Sequence, residues 1–127
     1  MYMVMFILDD PAKLDEVLDA WDRIGVSGVT IAETTGAYKR RAQFLGARFL
    51  FAAQATEMAA RGNHTLFTVV PDEKAVHQCA DAAEQIVGDL NAPHTGVLFA
   101  WPLSVVRGVP DRLREPAPPD RDTDEDR

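Results

Sequence analysis

The chain has 127 residues, 46% of them hydrophobic, which suits one folded domain with a real core and needs no metal or disulfide staple. Its formal charge is -7, and residues 110–127 carry seven acidic against four basic side chains, so no basic field exists to attract a nucleic-acid backbone. One cysteine, Cys79, excludes an internal disulfide and the simplest Cys-x-x-Cys redox or zinc motifs.

From the N-terminus, residues 2–8 are apolar at every position and predict a strand buried on both faces. The run is too short to span a bilayer and has no basic leader, so the expected location is cytoplasmic. Asp10-Pro11 predicts a helix start, an N-cap followed by proline at the first helical position. Leu14, Val17, Leu18 and Trp21 then recur at helical steps, with Lys13, Asp15, Glu16, Asp19 and Asp22 opposite, and Gly25 stops a helix over 11–24.

Residues 28–35 are rich in β-branched types and predict a second strand, ended by Gly36. Residues 65–70 predict a third, ended by Pro71. Asp72 caps a second helix with Val76, Ala80, Ala83 and Val87 as its inner face, Cys79 and Ile86 flanking, and Gly88 or Asn91 as its stop. Residues 96–101 predict the fourth strand.

The interval between the second and third strands, 37–63, is far longer than a hairpin requires. It opens with Tyr38-Lys39-Arg40-Arg41 and continues through the apolar stretch Phe44 to Phe51, which suits one or more helices packed on the sheet or a neighbour. Beyond Val109, prolines and acidic residues predict a disordered tail over 110–127 after a domain over 1–109.

The order strand, helix, strand, strand, helix, strand predicts an α+β, ferredoxin-like double βαβ fold. It is a four-stranded antiparallel sheet with two helices on one face and a long insertion between strands two and three. The other face has no helix to cover it. Strands apolar on both sides then require another subunit, or the middle segment, to hide that face from water.

The chemistry-bearing residues are few. Lys39, Arg40, Arg41 and Arg48, with Arg107, could hold a phosphate or carboxylate through fork-shaped donor pairs, or could be a solvated flank. Gly88, Thr95 and Gly96 could present donors to an anion or be plain turn residues. His64, His77 and His94 have no ligand spacing, and Cys79 suits an inert buried thiol. Asp15, Asp19, Asp81 and Glu84 fall on exposed helix faces. No phosphate loop or dinucleotide fingerprint is present, so the expectation is a protein that is not an enzyme.

Lys13-Leu14-Asp15-Glu16-Val17, then 24–31, Glu33 and Gly36, resemble the pattern of the nitrogen-regulatory PII signalling proteins and their PII-like relatives. The likeness continues in order through 65–70, the helix after Asp72, 96–102 and Arg107-Gly108. It implies a homotrimer with its sheets facing one another. It also implies nucleotide binding in clefts between subunits, and control of a partner enzyme or transporter by a loop after strand two.

On that resemblance the ligand contacts are Gly36, Lys39, Arg40 and Arg41 at the loop base, Gly88, Thr95 and Gly96 in a second loop, and Arg107 in a third region. The ligand would be an adenine nucleotide or another small anion. His94-Thr95-Gly96-Val97 stands where the family has Gly-Asp-Gly-Lys, and Tyr38-Lys39-Arg40 replaces its glycine-rich, glutamine-bearing loop base. The alternative is a structural or interaction trimer that has lost its ligand.

Overall fold

The computed structural model describes residues 1–37, 62–110 and 113. The expectations for 38–61 and for the tail at 111–112 and 114–127 lie outside the described residues. Within them the elements are β1 (Tyr2–Leu8), a 3-10 turn (Pro11–Lys13) running into α1 (Leu14–Arg23), β2 (Val29–Thr34), β3 (Asn63–Val70), α2 (Glu73–Val87) and β4 (Gly96–Pro102). The sheet order is β2-β3-β1-β4 and every neighbouring pair is antiparallel. This is the ferredoxin-like arrangement that the order of elements predicts.

The helix ends follow from their capping residues. The Asp10 carboxylate accepts the Ala12 N–H at 3.0 Å, and the Asp72 carboxylate accepts the Ala75 N–H at 2.8 Å. Each satisfies a first-turn donor with no partner of its own inside the helix. Past the C-termini of α1 and α2, Gly25 and Gly88 take φ of 87° and 89°, a region that side-chain-bearing residues avoid. The expected helix over 11–24 is therefore tighter at its first turn, and β3 begins at Asn63 rather than at Thr65.

Strand register divides the side chains between two faces. Val4, Phe6 and Leu8 of β1 stand opposite Thr68, Leu66 and His64 of β3, and they are buried beneath the helices. Val17 and Trp21 of α1 and Ala75, Cys79 and Ala83 of α2 close this core. The inner face of α2 thus centres on Ala75, Cys79 and Ala83, with Val76 and Val87 packed at its margins and Ala80 off the centre. Small residues hold the middle because the Trp21 indole, tilted against Phe6 at 6.0 Å between ring centroids, needs the space.

The second face carries Met3, Met5 and Ile7 of β1, Phe67 and Val69 of β3, and Val97, Phe99 and Trp101 of β4. Toward the β2 edge the same face turns polar, where the Thr34 and Thr65 hydroxyls are 2.7 Å apart. The apolar part is most open on β4. Val97 is 54% exposed, and Phe99 and Trp101, stacked with centroids 6.0 Å apart, are 40% and 39% exposed.

Candidate functional site

The β1–α1 and α2–β4 connections lie at one end of the sheet, together with the last residues of β2 and the first of β3. Leu8 faces both Gly96 and His64, and Thr34 faces Asn63. At this end the Lys13 ammonium, expected on the solvated side of its helix, is instead half-buried and donates to the Ile86 carbonyl at 3.1 Å. It satisfies one of the last carbonyls of α2, so the two helices are tied where they meet.

Gly88, Thr95 and Gly96 belong to this end. The Gly88 N–H donates to the Glu84 carbonyl at 2.9 Å, and the Thr95 hydroxyl donates to the Ala92 carbonyl at 3.0 Å. Both donors are therefore engaged inside the chain, although the Thr95 oxygen still has lone pairs to offer. At Gly96, φ is 140°, and an added Cβ would stand 2.5 Å from the Ile7 carbonyl oxygen and 3.0 Å from the Phe6 ring. Close approach to β1 requires glycine there, whatever ligand the loop meets.

Gly36 is at the same end but follows the opposite edge strand. Three strand spacings, roughly 14 Å, separate it from Gly96. It is exposed, and among the described residues nothing lies within 4 Å of where a Cβ would be. Arg107 is exposed and follows β4, whose seven residues put about 20 Å between it and the Gly96 end. Lys39, Arg40 and Arg41 lie outside the described residues. The chain thus gathers Gly88, Thr95 and Gly96 and leaves Gly36 and Arg107 apart from them.

The remaining reactive side chains are dispersed. Cys79 is fully buried, and burial pushes its thiol up to about 12, so it stays protonated at neutral pH. His77 is exposed and stands 3.8 Å from Glu73 one turn earlier on α2. His94 takes φ of 63° in an exposed turn. His64 is half-buried, and its Nδ1 is buried without a hydrogen-bond partner among the described residues, a feature its place in the sequence did not announce. No group of three or more potential metal ligands comes together among the described residues.

Among the described helices none is long and apolar enough to cross a membrane. No protein-family model matches the chain, and no curated protein matches it.

Proposed function

We propose that this chain is a small regulatory subunit that associates with copies of itself through the open face of its sheet. In this reading it is a cytoplasmic, PII-like homotrimer and not an enzyme. It senses a small anion or an adenine nucleotide where subunits meet, and passes that state to a protein partner such as an enzyme or transporter.

The observation that carries the reading is the apolar half of the open face. Three β4 side chains, two of them a stacked aromatic pair, remain 39–54% exposed, and they adjoin Met3, Met5 and Ile7 across the β1–β4 register. Adjoining exposed apolar side chains, with aromatic rings among them, are the kind of surface that subunit contacts use. The separation of Arg107 from the Gly88–Gly96 end agrees with a ligand shared between subunits, since one subunit does not unite those groups.

Light scattering at low micromolar concentration should report a particle of three 14.0 kDa chains. A well-folded single chain would remove the reading. Calorimetry against ATP, ADP, bicarbonate and small dicarboxylates should then show binding to the assembled protein.

A second reading, a trimer that serves structure or interaction alone, draws on a specific observation. The Gly88 N–H and the Thr95 hydroxyl are already donated within the chain. A trimer silent to every one of these ligands would decide for it.

A further inference from the structure

At the end of the sheet opposite Gly96, a cleft of about 390 Å³ lies between the β2 approach, the end of β3, the first turns of α2 and the segment that follows β4. Its size falls within the range of small-molecule sites, roughly 300–1,000 Å³. It lies within a single subunit and is distinct from the residues considered for the anion between subunits.

The lining is mixed: Ile24, Val26, Val70, Val109 and Leu113 supply aliphatic surface, and Ser27, Thr68 and Gln78 supply uncharged polar groups. Ile24 is 38% exposed, an aliphatic side chain left open beside the cleft. The charged side chains of the lining, Asp72 and Lys74, both come from the start of α2. Asp72 is engaged as the N-cap through the Ala75 N–H. Lys74 is exposed and enters no ion pair among the described residues, so it is the cation left to meet a ligand.

We propose that this cleft binds a small amphipathic carboxylate, with its hydrocarbon body among Val26, Val70 and Val109 and its carboxylate at Lys74. An apolar chain gains by leaving water among the aliphatic side chains. A charge-assisted hydrogen bond to the ammonium orients it, and the rim position keeps the charged end hydrated. Backbone space is available at Gly25, Gly28 and Gly108, where nothing among the described residues lies within 4 Å of a would-be Cβ.

The test is a titration of the full chain with octanoate, followed by amide NMR. Shifts should centre on Gly25, Gly28, Val70 and Gly108 and saturate in the low-millimolar range. Lys74→Glu should weaken binding about tenfold, Val26→Phe should block it by filling the cleft, and octylamine should bind far more weakly than octanoate.

Absence of shifts at these concentrations would overturn the proposal. So would equal response to octylamine, an unchanged affinity in the Lys74→Glu protein, or shifts centred on Phe99 and Trp101. Because the cleft lies inside one subunit, octanoate should bind whether or not the chain trimerises, so this outcome is independent of the regulatory reading.

Discussion

The indole Nε1–H of Trp21 on α1 donates to the main-chain carbonyl of Cys79 on α2 across 3.1 Å of buried space. This bond joins the two helices at the point where their small and large residues interlock. The acceptor is a mid-helix carbonyl, so the bond is an addition to the helix ladder rather than a replacement for part of it. Trp21→Phe removes the donor and leaves a void beside Cys79. It should cost about 2 kcal/mol, read as a lower urea midpoint with an unchanged slope.

Cys79 itself provides a pH-dependent test. Its thiol titrates near 9 in the unfolded chain and is raised to about 12 by burial. Between those values the unfolded state binds fewer protons than the native state, so the Cys79 contribution to stability is complete below pH 9 and declines as pH rises toward 12. Cys79→Ser should flatten this alkaline decline in urea-denaturation stability measured against pH. At pH 8 the native thiol should resist a thiol-reactive dye that labels the unfolded chain at once.

The candidate glycines should separate by their surroundings. Gly96→Ala places a methyl against the Ile7 carbonyl and the Phe6 ring at positive φ, and should destabilise the chain by about 3 kcal/mol. Gly36→Ala meets nothing among the described residues and needs no left-handed backbone, so its effect should stay within about 0.5 kcal/mol. Chemical denaturation of both variants measures the contrast.

Assembly through the open face predicts that Phe99→Lys and Trp101→Lys shift the protein toward single chains without unfolding it. Both side chains are about two-fifths exposed and lie outside the buried core, so the fold loses little when they change. Analytical ultracentrifugation should show the lower mass while circular dichroism stays unchanged. A variant that keeps the mass of the parent protein would place the subunit contact elsewhere.

Local chemistry made much of the fold legible. Asp10-Pro11, Gly25, Asp72 and Gly88 mark helix ends through bonds and dihedral angles that involve only a few neighbouring residues, so they can be read in order along the chain. The apolar spacing of α1 likewise announces Val17 and Trp21 as its buried side. Where two elements must fit each other, the sequence is less informative. The shift of α2 onto Ala75, Cys79 and Ala83 depends on accommodating an indole contributed from 58 positions away.

Composition and spacing alone determined the order of elements, the caps and the apolar character of the second sheet face. The tertiary structure alone decided which donors are spent. It showed that close approach to β1 requires glycine at 96, and it put Arg107 at the end of β4 away from Gly96. The physical reason is range: capping and periodicity act over a few residues, whereas donor occupancy and close approach are properties of groups that meet only after the chain has folded.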